Sequence, residues 1–399
     1  MNEILNHAIT QVQNSKRAFC RFITANDTGK NGSHQYGFYI PKCAASLLFD
    51  IPITKGENKD KTVEIKWQND FITKSRFIYY GQGTRNEYRI TRFGKNFPFL
   101  DENNVGDLLI IAQESETYYH GFVLSADQDI DDFMACFNLS PEMTNQLINV
   151  NQNNTHQKLF EEDIQKLVAT YTDFPETRQM AKLAREIYNK THNVTNKEIC
   201  NTPDEQLLKW IDTEYKLFRS FEERIYAPVY SVPFSNCEEL IKFANSILNR
   251  RKSRAGKSLE HHLASIFTTT EIEFEEQAVT EDNKRPDFLF PNGNAYHNML
   301  FPADNLVFLG AKTTCKDRWR QILNEANRIE AKYLFTLQQG ISKNQLMEMR
   351  HEHIKLVVPS AYLTSFDKEF QPEIETLSSF IEMVKMKQSN LPIYSHSSI

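Results

Sequence analysis

The sequence has no run of about 18 consecutive apolar residues, so no stretch reads as a membrane-spanning helix. Its first residues, MNEILNHAITQVQNSKR, hold no apolar run behind a cationic start, so no signal peptide is expected there. None of the cysteines (Cys20, Cys43, Cys136, Cys200, Cys237 and Cys315) forms a CxxC pair, which argues against a zinc ribbon. Without a secretion signal, reduced thiols in a bacterial cytoplasm are the expectation. There is no excess of basic residues either: 46 Lys and Arg stand against 52 Asp and Glu, for a net charge of −6. The acid is concentrated, because residues 101–175 carry fourteen Asp or Glu and only Lys158 and Lys166 in return. A groove for nucleic acid is a local property, so this balance does not exclude one. The acidic stretch reads either as a solvated surface or as a competitor of DNA for a basic cleft. Internal repeats and long low-complexity tracts are absent.

Residues 17–125 alternate short apolar or aromatic runs (RAFCRFIT, YGFYIP, RFIYYG, DLLIIA, YYHGFVL) with Gly, Asn and Asp turns, which predicts an all-β barrel or sandwich. A polar stretch follows from about 140. The expected division is an N-terminal domain over 1–150, a linker over 151–174 and a C-terminal domain over 175–399. In the last, RQMAKLAREIYNK, DEQLLKWIDTEYKLFRSFEERIY and CEELIKFANSILNRR have helical periodicity, and SLEHHLASIF reads as a further helix. Strands PDFLF, NLVFLGAK, YLFTL and IKLVVP then alternate with helices, including one over DRWRQILNEANRIEAK and a closing TLSSFIEMVKM. That alternation predicts an α/β domain with a mixed central sheet.

Four polar residues in this domain suggest chemistry. Asp287 opens the strand PDFLF, Lys312 ends NLVFLGAK, Glu325 lies in the helix after it, and Glu260 sits on SLEHHL. Hydrolysis of a phosphodiester needs an activated water and a stabilised leaving oxygen. Carboxylates can hold Mg²⁺, a hard cation that keeps several of its waters. A neighbouring lysine can orient the attacking water and neutralise phosphate charge. Adjacent strand ends bring Asp and Lys together, because paired strands lie about 4.8 Å apart. On pattern alone a turn aspartate and a solvated lysine remain an equal description. RAGKS is not a phosphate loop, since Arg251 stands where that motif needs glycine. The pairs His261/His262 and His351/His353 lack metal-ligand spacing.

RRKSRAGKSLE (250–260), KRPDFLFP (284–291), AKTTCKDRWRQILNEA (311–326) and KLVVPS (355–360) resemble the C-terminal half of the EcoRII family of restriction endonucleases. The resemblance implies a variant PD-(D/E)xK nuclease fold in which the glutamate has moved from the strand to the following helix. It implies that Asp287 and Glu325 bind Mg²⁺, that Lys312 is the catalytic lysine, and that Glu260 is a further active-site acid. Lys316, Asp317 and Arg318 would begin a helix that enters the major groove and reads outer G·C pairs, with Lys or Arg on guanine and Asp on cytosine. Arg250, Arg251, Lys252, Arg254 and Lys257 form a basic run suited to phosphates; Lys252 and Arg254 are the expected DNA contacts, and a solvated run is the alternative.

TANDTGKNGSHQYGFYIP (24–41) and TRNEYRITRFG (84–94) resemble the N-terminal effector domain of the same family, a DNA-binding pseudobarrel. His34 and Tyr39 on one arm, and Arg85, Asn86, Glu87, Arg89 and Arg92 on the other, have side chains able to read bases or hold phosphates. Gly83 and Tyr88 stand where the family sequence carries lysines, and Phe93 where it carries tryptophan, which predicts weaker phosphate contact. The resemblance as a whole implies a homodimeric, type IIE enzyme that cuts double-stranded DNA before the first C of a CC-x-GG site. It implies activation by a second copy of the site, flipping of the central pair, and a cognate DNA methyltransferase in the same system. Alternatives are a non-catalytic DNA-binding regulator and a structure-specific repair nuclease.

Overall fold

A computed structural model describes residues 3–29, 36–50, 53–148 and 158–389. They form two compact units, the first built on the N-terminal 156 residues together with Gln338–Leu346 and Thr364–Gln371.

The first unit opens with α1 (Glu3–Asn14) and continues through β1 (Arg17–Phe22), β2 (Phe38–Ile40), β3 (Lys59–Trp67), β4 (Ile72–Tyr80), β5 (Glu87–Thr91), β6 (Leu108–Gln113), β7 (Tyr118–Leu124), α2 (Asp127–Cys136) and β8 (Gln146–Ile148). The strands make one sheet in the order β2-β5-β4-β3-β7-β6-β1-β8. Its neighbours are antiparallel except β3 and β7, which run parallel. Among the described residues β2 and β8 are free edges, so the sheet is open rather than a closed barrel.

Alternation along the strands supplies two cores, because successive side chains leave opposite faces. Phe19 of β1 packs in a core with Phe38, Trp67, Phe77, Phe93 and Phe97. Its neighbours Ala18, Cys20 and Phe22 pack instead with Leu5, Ala8 and Val12 of α1 and Ile130 and Phe133 of α2. Gly121 of β7 lies opposite Trp67, and a Cβ there would stand 2.5 Å from the indole, so this strand position needs glycine to admit the ring.

The second unit begins with helices: α3 (Lys158–Ala169), α4 (Thr177–His192), α5 (Asn196–Asn201), α6 (Pro203–Tyr230) and α7 (Cys237–Thr269). It continues with β9 (Glu275–Glu276), β10 (Phe288–Phe290), α8 (Gly293–His297), β11 (Val307–Lys312), β12 (Lys332–Thr336), α9 (Lys343–His351, of which the residues from Met347 on belong to this unit), β13 (Ile354–Val358), β14 (Glu375–Thr376) and α10 (Leu377–Ser389). The sheet order is β14-β13-β12-β11-β10-β9. β9, β10 and β11 are antiparallel and β11 to β14 parallel, the mixed sheet expected of this half. Asp204 at the start of α6 is buried, and its carboxylate accepts from the backbone N–H groups of Ser360, Leu377 and Ser378, each at 2.9 Å. It thereby caps α10 and ties that helix to the bundle.

Three expectations need correction. Residues 158–169 of the expected linker are helix α3, whose Ile164 and Val168 are buried with Met180, Phe218 and Phe221; residues 151–157 lie outside the described part. The two helices read as CEELIKFANSILNRR and SLEHHLASIF are one 33-residue helix, α7. Its single internal glycine, Gly256, costs about 1 kcal/mol, and Arg251 and Arg254, which precede it, pair with Glu222 and Glu214 of α6. Finally, DRWRQILNEANRIEAK forms only a 3₁₀ turn, Trp319–Ile322, followed by turns with Ala326 at φ 49°. Backbone groups that a helix would pair are taken by side chains instead: Lys332 Nζ donates to Leu323 O, Lys284 Nζ to Asn324 O, and Glu281 accepts from Asn327 N.

Candidate active site

Antiparallel pairing of β10 with β11 sets the start of one strand beside the end of the other. Asp287, one residue before β10, therefore meets the last residues of β11. Its Oδ2 accepts from Ala311 N at 2.8 Å and from Lys312 Nζ at 3.1 Å, while Oδ1 accepts from Gln277 Nε2 at 3.2 Å. The aspartate is thus oriented by a backbone amide and a glutamine, and its charge is paired with the lysine.

Glu260 and Glu325 reach the same place from different elements. Glu260 projects from α7, its side chain 16 % exposed, with Oε2 accepting from Lys257 Nζ at 2.7 Å. Glu325 sits in the turn after the 3₁₀ segment, not in a helix as expected. Burial pushes the carboxyls of both above the ordinary glutamate range, and the negative charge of Asp287 pushes the same way. Lys312 opposes the shift at both. Glu260 and Glu325 are therefore each within electrostatic reach of the Asp287–Lys312 pair. The group has an excess of negative charge that a hard divalent cation would relieve.

Among the described residues no three His, Cys, Asp or Glu side chains converge closely enough to enclose an ion. A cation that keeps several waters needs only one or two carboxylates, and Asp287 with Glu325 fits that donor chemistry. Residues not anticipated from the sequence complete the surroundings. Gln277 orients Asp287, and Lys284 and Lys332 hold the turn that carries Glu325 and oppose the rise of its pKa. Their pairing is non-local, and no motif in the sequence announces it.

The expected reading segment departs from the helix start assigned to it. Lys316, Asp317 and Arg318 lie on a turn between β11 and the 3₁₀ segment; Lys316 is buried, Asp317 exposed and Arg318 half-buried. The basic run on α7 divides by helical phase. Arg251 forks onto Glu222 at 2.7 and 2.9 Å, and Arg250 lies over the Phe174 ring at 4.3 Å. Lys252 is partly exposed. Arg254 is 2 % exposed, paired with Glu214 and stacked on Tyr215 at 3.6 Å, so it belongs to the interior of the bundle and not to a phosphate-facing strip.

In the first unit, His34 lies outside the described residues. Tyr39 of β2 is partly exposed and pairs in register with Arg89 of β5. Arg85 and Arg92 are exposed at either side of β5, and Asn86 and Glu87 are half-buried, Asn86 accepting from Tyr79 Oη at 3.0 Å. Arg89 turns inward, donating to Gly37 O at 3.1 Å and facing Glu87 at 3.5 Å, so it braces the β2–β5 edge and is not offered at the surface. Tyr88 is buried against Tyr79, with ring centroids 4.6 Å apart, and that position presents no surface for a phosphate. Phe93 stacks on Phe97 at 4.5 Å in the core.

Comparison with known proteins agrees with this layout. Residues 12–146 match a family described as "Restriction endonuclease EcoRII, N-terminal", and residues 218–381 one described as "EcoRII C terminal". The chain is 36 % identical over 402 aligned residues to the type II restriction enzyme EcoRII of Escherichia coli, covering 94 % of this chain and 95 % of the relative. Among solved structures, metal-depleted Ecl18kI in complex with uncleaved, modified DNA has a TM-score of 0.48 at 19 % identity, over 61 % of this chain and 89 % of that one. A complex of the restriction endonuclease PspGI with substrate DNA has a TM-score of 0.46 at 15 % identity, over 55 % of this chain and 95 % of that one. With both family matches in chain order and an enzyme aligned over nearly its full length, this chain belongs to the EcoRII family of type II restriction endonucleases.

Proposed function

We propose that this enzyme hydrolyses double-stranded DNA at a CC-x-GG site, most plainly CCWGG, before the first C, using Mg²⁺ held by Asp287 and Glu325. The observation that carries the reading is Lys312 Nζ at 3.1 Å from Asp287 Oδ2, with Glu260 and Glu325 both driven up by burial and by the charge of Asp287. When bound, the ion supplies charge neutralisation and lowers the pKa of a bound water. The protein's own part is to hold the pieces. Ala311 N–H and Gln277 fix the plane of the Asp287 carboxylate. Lys312, 27 % exposed, is placed to meet the scissile phosphate and to orient the attacking water. Glu260 is a second acceptor for a proton or for a bound water at the same centre.

In this reading the enzyme is a cytoplasmic homodimer whose two nuclease domains each cut one strand, matching the two-fold symmetry of the site. The N-terminal domain binds a second copy of the site and thereby relieves inhibition of the nuclease. Arg85 and Arg92, exposed beside β5, with Asn86 and Glu87, are its DNA-reading residues. Lys316, Asp317 and Arg318 read the outer G·C pairs, with Lys252 on a phosphate. The central pair is flipped during reading, and a cognate methyltransferase protects host DNA.

The test is digestion of a plasmid carrying several CCAGG and CCTGG sites, with the ends sequenced, beside Lys312→Ala and an EDTA lane. Discrete fragments ending at those sites, only for the wild-type enzyme with metal, are expected. A specific gel shift without cutting at these sites, or at CCCGG and CCGGG, would instead favour a DNA-binding regulator.

A further inference from the structure

The SRAGKSLEHH stretch holds more polar residues than the active site uses, and the structure buries several of them. Arg254, Ser258 and His262 recur every four residues of α7 and so line one face. That face meets Glu214 of α6, which is itself 0 % exposed. Glu214 Oε2 accepts from Ser258 Oγ at 2.9 Å and faces His262 Nε2 at 2.9 Å. Its Oε1 lies 3.7 Å from Arg254 Nη1, and that guanidinium stacks on Tyr215 at 3.6 Å and Phe218 at 4.8 Å. Behind His262, Arg185 of α4 donates to Nδ1 at 3.1 Å and to His261 O at 3.4 Å. With Nδ1 accepting, the hydrogen of a neutral imidazole belongs on Nε2, facing Glu214. Although burial alone would raise the carboxyl of Glu214, His262, Arg254 and Ser258 together hold it below its ordinary value, so it stays ionised at neutral pH.

Such an arrangement is an unusual way to join two helices. A core of leucines would pack as tightly, and apolar replacement of buried ion pairs is often neutral or stabilising. What a polar node adds is a single register, because only one rotation and one height of α7 lets Glu214 accept from Ser258 while facing His262 at 2.9 Å and Arg254 at 3.7 Å. Glu260 lies midway between Ser258 and Glu214's third partner, His262, and projects from the far side of the same turns toward Asp287 and Lys312. At about 6 Å from the helix axis, a rotation of about 10° displaces a side-chain group by about 1 Å. An error of that size in a catalytic group is worth about 100-fold in rate.

Resting on the nuclease reading above, we propose that Glu214 is a positioning residue for cleavage: it locks α7 through Ser258, His262 and Arg254 so that Glu260 is presented to the Asp287–Lys312 pair. It touches neither DNA nor the reacting atoms. Arg254, expected from the sequence to contact DNA, acts here as one of its three anchors.

The test uses the full-length enzyme and two variants. Glu214→Gln keeps the shape and the Ser258 hydrogen bond but removes the charge. Glu214→Leu combined with Arg254→Met replaces the ion pair by apolar side chains and keeps the fold accessible should the first variant not fold. Single-turnover cleavage at saturating enzyme is expected to fall about 100-fold in either folded variant, with metal-free affinity for a CC-x-GG duplex close to wild type; the thermal midpoint stays close to wild type in the Leu/Met pair and falls in Glu214→Gln, which leaves the buried Arg254 without its counter-charge. Each variant is then combined with Glu260→Asp, which shortens the carboxylate without removing it. If Glu214 acts through Glu260, its loss adds little once Glu260 is already misplaced. Losses that multiply in the Glu260→Asp background, or a Leu/Met pair that folds and cuts at the wild-type rate, would overturn the proposal and leave a purely structural cluster. If the wild-type enzyme itself fails to cut with Mg²⁺, the nuclease reading falls and takes this one with it, a result plainly distinct from the other two.

Discussion

Replacing Lys312 by methionine separates its chemical role from its structural one. The substitution keeps the length of the side chain and removes only the charge. In the folded protein Nζ stands 3.1 Å from Asp287 Oδ2. At an effective dielectric constant of about 20, two unit charges at that distance attract by about 5 kcal/mol before desolvation. The lysine side chain is 27 % exposed, so solvent screening and desolvation reduce its net contribution to stability to about 1 kcal/mol. Asp287 also keeps its bonds to Ala311 N–H and Gln277. The urea midpoint of Lys312→Met is therefore expected to move little. Cleavage is another matter, because one preorganised charge at a phosphoryl centre is worth about 10²–10³-fold, and loss of proton-transfer assistance adds to that. A fall of about 10³-fold or more in the single-turnover rate is expected, with specific binding in a metal-free gel shift within a few-fold of wild type. Retention of cutting to within tenfold would refute the assignment of Lys312. So would a loss of several kcal/mol in stability, which would make the lysine a structural pin.

Glu325 is expected to destabilise the metal-free fold when ionised, since its folded pKa is raised by burial and by Asp287. The neutral form is favoured in the folded state, so this contribution to stability is complete below the unfolded glutamate pKa and is lost as pH rises through the folded value. Glu325→Gln should accordingly melt above wild type at pH 8 in EDTA, with the gap closing toward pH 4; a gap independent of pH would contradict the shift. Arg254→Ala should cost about 3–5 kcal/mol by stranding the buried Glu214 charge, read as a fall in urea midpoint, whereas the partly exposed Lys252→Ala should cost less than 1 kcal/mol. Gly121→Ala should destabilise the first unit by about 1–3 kcal/mol or more, since its Cβ would meet the Trp67 ring at 2.5 Å, and loss of Trp67 near-ultraviolet dichroism at lower temperature checks it. Removal of residues 1–156 should give an enzyme active on a single site. Removal of 1–170 should melt lower, because it strips α3 from Phe218 and Phe221; equal melting of the two would deny α3 its place in the bundle.

Much of this molecule was legible in the order of its residues. Short apolar runs separated by turn residues identify a β-rich first half, and strand–helix alternation identifies the mixed sheet of the second, because both follow from local patterns repeated along the chain. Asp287 and Lys312 were readable as a pair, since an acid opening one strand and a lysine closing the next meet whenever the two run antiparallel. The resemblance of the motifs then supplied Glu260 and Glu325. What the residue order could not express was competition from distant side chains. A helical pattern over 317–332 yields to turns whose backbone groups are taken by Glu281 and Lys284, from earlier in the chain, and by Lys332 at the start of β12. The five bases at 250–257 look equivalent in one dimension, yet helical phase and the placement of Glu214 and Glu222 send Arg254 and Arg251 onto α6, while Lys252 is partly exposed. Tyr88 and Arg89, consecutive on β5 and so on opposite faces, are both buried, Tyr88 against Tyr79 and Arg89 on the Gly37 carbonyl. Sequence determined which chemical groups are present and which elements carry them. Tertiary packing decided which charges are paired inside the fold and which lie at its surface, because a buried charge persists only where another part of the chain supplies its partner.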